Sequence, residues 1–446
     1  MSGAALLQLV ALGSQDAYLT SSPSVTFFKS SYRRYTMFSQ EVIAQSLNGT
    51  VRFGASRLSA QIFRHADLLS DLFCTVRLPS IKTVKDSANV DARKMYCDFA
   101  ALALISEAEC EVGGSRIDRL FSSYMFAMHD LAVSASHRRG IEVMLGNFLT
   151  SGSESDLECI VPLPFWFTLN PGSSLNLVGM QYHEVRITLS LAKLESLTRY
   201  VYSEGTALVR DALKGTTYGD DSEGVGNANL GPLTDADLDG ELDLRLYGKY
   251  TYLDADERKR FATNSSESLL VVSQVTTETI PKDAQSTNVR VAFNHPVSEL
   301  IVLPQSDWAK ERNMHFNFHS SSDVKTWTGA DADAALYYNP VKSLILKLNN
   351  HEMQAAAPGS RYHMYTAWRS HTAIPEEPIV TIPFALHCEN TVQPSGSLNM
   401  SRVDNAVVEI SWDPAFTKTA GSVAIFGRNW NVFRQTGGMG GIAYSN

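Results

Sequence analysis

Pro171-Gly172-Ser173-Ser174-Leu175-Asn176 returns as Pro394-Ser395-Gly396-Ser397-Leu398-Asn399, with one Gly and one Ser exchanged. Val185-Arg186-Ile187 begins ten residues after Leu175, and Val408-Glu409-Ile410 begins ten after Leu398. The offset between the copies is 223, half of the 446-residue chain. Upstream, Pro164-Phe165 and Pro383-Phe384 head the two blocks, four residues out of that register. Two turn signals, Gly113-Gly114 and Asn349-Asn350, follow the same order 236 residues apart. Ordered matches near half the chain length predict two copies of one domain, each of roughly 200 residues.

The local period says what kind of domain is repeated. Ala108-Glu109-Cys110-Glu111-Val112 alternates apolar and polar before Gly113-Gly114, and Leu344-Ile345-Leu346-Lys347-Leu348 runs into Asn349-Asn350. Gly and Asn tolerate positive φ, so both pairs predict tight hairpin turns. Residues 185–189, 289–293 and 407–410 are further β-branched strands. Helical signals are short, at 122–131, 206–213 and 255–261 after Asp254. The expected fold is all-β: two tandem eight-stranded jelly rolls with long loops and short decorating helices. Immunoglobulin-like sandwiches fit less well, being smaller and framed by a Cys…Trp…Cys pattern that is absent.

Lys and Arg number 38 against 47 Asp and Glu, a net charge of −9. The first basic residue is Lys29, so there is no basic arm to neutralise nucleic acid. Residues 215–244 carry Asp220, Asp221, Glu223, Asp235, Asp237, Asp239, Glu241 and Asp243 with no Lys or Arg. That segment supplies −8 of the −9, so the other 416 residues are almost neutral. Near-neutral bodies approach one another with little long-range repulsion. The chain therefore divides into an N-terminal arm (1–24), a first jelly roll (25–214), an acidic linker (215–241) and a second jelly roll (242–446), whose first strand is expected near Leu242. The apolar stretch 4–13 has no preceding positive charge and no clean cleavage pattern, so it reads as an arm rather than a leader. No run reaches the length of a membrane span. Five scattered cysteines (Cys74, Cys97, Cys110, Cys159, Cys388) fit free, buried thiols in a reducing compartment.

Chemistry-bearing motifs are weak. Asp235-Ala236-Asp237-Leu238-Asp239-Gly240 begins like a calcium loop, but the position of its bidentate Glu is Leu246, so an acidic solvated linker is the better reading. His315 and His319 are four apart around Phe316-Asn317-Phe318, a spacing as strand-like as helical. Gly437-Gly438-Met439-Gly440-Gly441 has no helix after it and predicts a bend into a terminal strand rather than a phosphate cradle. Asp254 to Arg260 reads as a capped, solvated helix with internal or inter-subunit pairs. Sequons stand at Asn48, Asn264 and Asn399, the last inside the repeated block, which suggests a structural role for it. No residue is assigned a catalytic, cofactor-binding or metal-binding role, and no enzyme activity is expected.

A set of ordered motifs resembles the major capsid proteins of nucleocytoplasmic large DNA viruses. It runs from Gln15-Asp16-Ala17-Tyr18 and Thr26-Phe27-Phe28-Lys29 through Tyr32-Arg33-Arg34-Tyr35-Thr36 and Glu111-Val112-Gly113-Gly114-Ser115-Arg116-Ile117-Asp118. Pro164-Phe165-Trp166-Phe167, Gln181-Tyr182-His183-Glu184 and Tyr252-Leu253-Asp254-Ala255-Asp256-Glu257-Arg258 continue it. Phe293-Asn294-His295-Pro296-Val297, Asn429-Trp430-Asn431-Val432 and Gly438-Met439-Gly440-Gly441-Ile442 complete it, so the likeness spans nearly the whole chain. Met37 departs from the family's usual Asn, and neither the 220–243 linker nor the 306–338 stretch matches. The resemblance implies a double jelly roll forming homotrimers, pseudo-hexagonal capsomers that tile the icosahedral shell of a large double-stranded DNA virus. Its partners would be neighbouring capsomers and minor capsid and penton proteins, with no direct nucleic acid and an internal membrane beneath the shell. Localisation would be the virion, assembled in the host cytoplasm. The alternative is a tandem jelly-roll, lectin-like glycan-binding module using exposed aromatics such as Trp327 or Trp368.

Overall fold

The structure is a computed structural model that describes residues 3–82, 93–147, 157–204, 207–212, 234–311, 313–319 and 339–444. It divides into the segment Met1–Met37 and a body, Phe38–Asn446. The first segment holds helices Gly3–Val10 and Ser14–Thr20, and Leu7, Leu9, Phe27 and Phe28 on it are exposed. The body's first strand starts at Phe38, so the arm runs past its expected end at residue 24.

Eight strands build the first sandwich: β1 Phe38–Gln45, β2 Leu58–Ile62, β3 Leu68–Leu78, β4 Ile105–Val112, β5 Ser115–Phe121, β6 Leu157–Pro162, β7 Val185–Leu191 and β8 Asp243–Leu253. Eight more build the second: β9 Ser266–Ile280, β10 Ser286–Arg290, β11 Pro296–Ser306, β12 Val341–Leu348, β13 His351–Pro358, β14 Val380–Pro383, β15 Ala406–Trp412 and β16 Gly421–Thr436. The first sandwich pairs β1-β8-β3-β6 in one sheet and β2-β7-β4-β5 in the other. The second pairs β9-β16-β11-β14 and β10-β15-β12-β13. Every strand of one sandwich is matched by the strand eight places later in the other, and every ladder is antiparallel. This is the jelly-roll order written twice.

One expectation is corrected here. The strand after the acidic linker does not open the second domain. It lies between β1 and β3, with Val42 opposite Lys249 and Cys74 opposite Leu246, and is the last strand of the first sandwich. A jelly roll closes when its final strand returns to lie between its first and third, so the true divide falls after Leu253. The 206–213 helix is also corrected: Ala207–Ala212 is a strand paired to Thr198–Glu204, and a short apolar run of that length fits either state until a partner strand is present. Residues 215–233 of the linker lie outside the described residues.

Local chemistry explains the strands. Leu157, Cys159 and Val161 point inward from β6 while its alternate residues are exposed, and β15 buries Ala406, Val408, Ile410 and Trp412 in the same rhythm. The β4–β5 turn places Gly113 and Gly114 at φ 58° and 80°, and the β12–β13 turn places Asn349 and Asn350 at 49° and 66°. Both are left-handed pairs, as expected for two-residue hairpins. At Gly113 glycine is needed for a second reason, since a Cβ would stand 2.7 Å from the His183 ring. Helices Ser122–Ala132 and Ala255–Thr263 form where expected. All five cysteines are buried and unbridged.

Candidate functional site

The sequence-level candidates disperse in the structure. Thr234 N and Oγ1 donate to Asp237 Oδ2 at 2.9 and 3.1 Å, so this carboxylate caps a single helical turn, Asp235–Asp237, whose neighbour Leu238–Asp239 pairs with Ser80–Ile81. Asp235, Asp237 and Asp239 do not converge as a cation cage among the described residues. His315 Nε2 sits 2.6 Å from Ser196 O while His319 Nε2 lies 3.4 Å from Glu377 Oε2, so the two rings serve different contacts. Asp254 occupies the N-cap position of its helix without a side-chain capping bond. In the same helix Arg258 reaches the first sandwich, with Nε 2.9 Å from Oδ1 of the buried Asp67. Asn399 Oδ1 accepts from Ser401 N at 3.1 Å, and its repeat counterpart Asn176 accepts from Gly179 N at 2.9 Å, so both asparagines brace turns. Gly437 and Gly438 do form the bend, at φ 62° and 83°, into a terminal strand, β17 Met439–Ile442.

That terminal strand ties the halves together. Tyr182 N donates to Gly438 O at 3.0 Å, and His183 Nδ1 lies 2.8 Å from Gly440 O. Gln435 Nε2 donates to Asn176 O at 3.2 Å. A Cβ on Gly440 would meet Met180 Sδ at 2.7 Å, so glycine there lets the first sandwich press against the last strand.

The main joint is the outer face of the β9-β16-β11-β14 sheet. Its inner positions, Leu300, Val302, Val423 and Ile425, fill the second sandwich's own core. Its outer positions, Ile301, Leu303 and Phe426, belong instead to the continuous core of the first sandwich. The cover is the end of β5 and the helix Ser122–Ala132. Tyr124 and Phe121 place their ring centroids 5.4 and 6.2 Å from that of Phe426. Ser273 Oγ donates to Arg119 O at 3.0 Å, and the adjacent Asp118 is buried so deeply that its carboxyl is pushed up to about 7. Apolar burial of this kind is worth roughly 25 cal/mol per Å² and outweighs the polar groups it traps.

Those polar groups form one cluster that sequence spacing could not reveal, since its members come from four distant segments. Glu299 and Arg428 stand opposite each other on β11 and β16, with Oε1 and Nη1 3.4 Å apart and both side chains buried. His371 Nε2 lies 2.8 Å from Glu299 Oε2, a close contact without hydrogen-bond alignment. Arg428 Nη1 also donates to Cys388 O at 2.9 Å, and burial pushes the Cys388 thiol up. Glu299, His371 and Cys388 form the one metal-sized group among the described residues. Arg428 already supplies the countercharge that a metal ion would bring, and the cluster reads as a buried ion network.

Among the described residues, no arrangement of nucleophile, base and oxyanion donors accompanies these groups. What the body offers is surface: two sandwiches, a sealed joint and exposed aromatics. Trp368 and Tyr365 are 63% and 56% exposed with ring centroids 6.0 Å apart, while Trp327 lies outside the described residues.

Comparison with known proteins agrees with an assembly role. Residues 26–254 match the family model described as major capsid protein N-terminus, and residues 257–441 match large eukaryotic DNA virus major capsid protein. The division between the matches falls after β8, where the sheets place it. The chain is 31% identical to the major capsid protein of Pyramimonas orientalis virus over all of both chains. It is 30% identical to that of Phaeocystis pouchetii virus over 99% of each. Among solved structures, PBCV-1 VP54, fitted into a reconstruction of the virophage Sputnik, superposes with a TM-score of 0.74 at 25% identity, covering 94% of this chain and 100% of that one. The Faustovirus major capsid protein shares the fold at a TM-score of 0.67 and 13% identity, over 96% of each chain. These relatives lend no support to the lectin reading. With residues 26–254 and 257–441 both matched, in order, to its two domain models, the chain belongs to the major capsid protein family of large eukaryotic DNA viruses.

Proposed function

We propose that this chain is the building block of a viral shell. Three copies associate into a capsomer with six sandwiches around its axis, and capsomers tile the facets of an icosahedron. The observation that carries this reading is the strand-for-strand duplication. Two equivalent sandwiches per chain turn a threefold assembly into a nearly sixfold block, and such blocks pack a plane with one gene product. The near-neutral charge outside residues 215–244 suits close lateral approach. The role is structural rather than enzymatic, and assembly takes place in the host cytoplasm. The shell encloses an internal membrane, so the chain has no need to touch nucleic acid.

The arm at the N-terminus reaches beneath the capsomer toward neighbouring capsomers or minor capsid and penton proteins. Its exposed Leu9, Phe27 and Phe28 are the kind of side chains a partner buries. Deleting residues 1–24 is expected to leave trimers and impair shell formation; normal shells from the truncated chain would refute this. The reading as a whole is tested by light scattering and negative-stain imaging of the purified chain. Particles of three times the 49.1 kDa chain mass with a six-lobed outline support it, and a monomer sinks it.

A further inference from the structure

The two sandwiches are built alike but covered differently. On the outer face of the β9-β16-β11-β14 sheet, three rows cross the central strands: Glu299 opposite Arg428, Ile301 opposite Phe426, and Leu303 opposite Ala424. On the outer face of the β1-β8-β3-β6 sheet the equivalent rows are Asp71 opposite Lys249, Phe73 opposite Tyr247, and Thr75 opposite Arg245. The correspondence extends to chemistry: an acid faces a base in the first row, and an aromatic of the eighth strand sits in the second. Phe73 and Tyr247 stack with centroids 5.5 Å apart.

Among the described residues, only one of these faces is closed. The segment that follows β5 lies over Phe426 and seals the second sandwich's sheet. The first sandwich's sheet remains open: Phe38 and Val42 on its edge strand are 55% and 50% exposed, and Ile160 on the other side is 41% exposed. Val42 is paired with Lys249 and Ile160 with Thr75, one row to either side of the Phe73–Tyr247 row, so the apolar groups form a diagonal band that passes between the Asp71–Lys249 and Thr75–Arg245 rows. Soluble chains rarely leave such a band uncovered.

The element equivalent to the cover is also left uncovered among the described residues. After β13, at the place where the sealing helix follows β5, the chain makes a π-helical turn, Arg361–Tyr365, and a short helix, Thr366–Ser370. Its inner side buries Tyr362 and Ala367, and its outer side presents the neighbouring rings of Tyr365 and Trp368 to solvent. The sealing helix presents Tyr124 to Phe426; among the described residues this one leaves its aromatic pair exposed.

We propose that Tyr365 and Trp368 of one copy cover the Phe73–Tyr247 face of the next copy, repeating between chains the contact that the helix Ser122–Ala132 makes within one. This rests on the homotrimer reading above and names the surfaces that close it. The occupant is a second copy because the chain carries both halves of the contact, and the intrachain precedent shows how they fit. The two patches differ, so the contact is head-to-tail, and such a contact closes as a ring when its rotation completes a full turn, as in the trimer proposed above. In a ring of three chains every sandwich then covers the following one.

The test uses the full chain in two forms, Val42→Lys on the open sheet and Tyr365→Ser with Trp368→Ser on the helix. These side chains are exposed, so both forms should keep the wild-type circular dichroism and denaturation midpoint. Each should raise the concentration at which trimers dissociate by about thirtyfold or more. Mixed one to one, the two forms retain one intact pairing of surfaces, and light scattering should show a dimer of one copy of each, absent from either form alone. A wild-type trimer whose variants remain trimeric would overturn this contact while leaving the trimer intact. A Tyr365→Ser, Trp368→Ser form that stays trimeric while Val42→Lys dissociates would assign the sheet to another occupant, such as residues 1–37, and overturn it too. A monomeric wild-type chain would remove the trimer reading and this contact with it.

Discussion

The outer faces of two equivalent sheets, β1-β8-β3-β6 and β9-β16-β11-β14, show how one scaffold serves two purposes. Register, strand order and even the placement of an acid–base row agree between them. The covered sheet buries Ile301, Leu303 and Phe426 under first-sandwich aromatics and traps Glu299, Arg428 and His371 with them. The open sheet leaves Phe38, Val42 and Ile160 in solvent. Strand pairing therefore fixes the frame, and what lies on top decides whether a position serves stability or association.

The largest test of that contrast is truncation of the matched aromatics. Phe426→Ala empties a sealed site and should cost about 4 kcal/mol in denaturant titration, whereas Tyr247→Ala in a dissociated chain should cost about 1 kcal/mol. Equal losses would break the comparison. Next, Glu299→Ala strips the buried Arg428 of its partner and should cost about 3 kcal/mol, while Asp71→Ala, on the open face, should cost under about 1 kcal/mol.

A pH effect follows from Asp118 at the sealed joint, whose carboxyl is pushed up to about 7 by burial. An acid with a raised folded pKa binds its proton more tightly folded than unfolded. Its contribution is then full below the unfolded value near 4 and is lost as pH rises toward 7. Asp118→Asn should remove that slope, so its stability relative to wild type should improve between pH 4 and 7 by on the order of 3 kcal/mol. Parallel stability–pH curves for the two chains would contradict the assignment.

The smallest effects separate the two hairpins. Asn350→Gly should change stability by under about 0.5 kcal/mol and Asn350→Ala should cost about 1 kcal/mol, because beyond φ only a long, exposed hydrogen bond from Asn405 Nδ2 to Asn350 Oδ1 is at stake. Gly113→Asn should cost more, about 2 kcal/mol, because the His183 ring blocks the added side chain.

Much of this architecture was legible in the chain itself. The repeated block marks the Leu175–Asn176 and Leu398–Asn399 pairings and the strands after them, and the two turn signals mark both hairpins. These are local signals, carried by alternation and by residues that accept positive φ. The strand Asp243–Leu253 was assigned to the wrong half because nothing local says which sheet a strand joins; its partners lie some 170 to 210 residues earlier in the chain. The buried network stayed hidden for the same reason, its members being brought together by packing rather than spacing. Trp368 stood out in sequence as a large aromatic on a loop, but its partnership with Tyr365 and its equivalence to the sealing helix needed the fold. The open face left one trace: Leu246, Tyr247 and Tyr250 put apolar groups on both sides of β8, as a strand covered twice would.

The most direct measurement is radical footprinting of the aromatic side chains, read by mass spectrometry, on assembled particles and on chains dissociated under conditions that keep the fold. Phe426 and Tyr124 should be protected in both states, and Phe73, Tyr247, Tyr365 and Trp368 should be protected only in the assembly. Equal labelling of Tyr247 and Trp368 in the two states would contradict a face closed within the chain on one sandwich and between chains on the other.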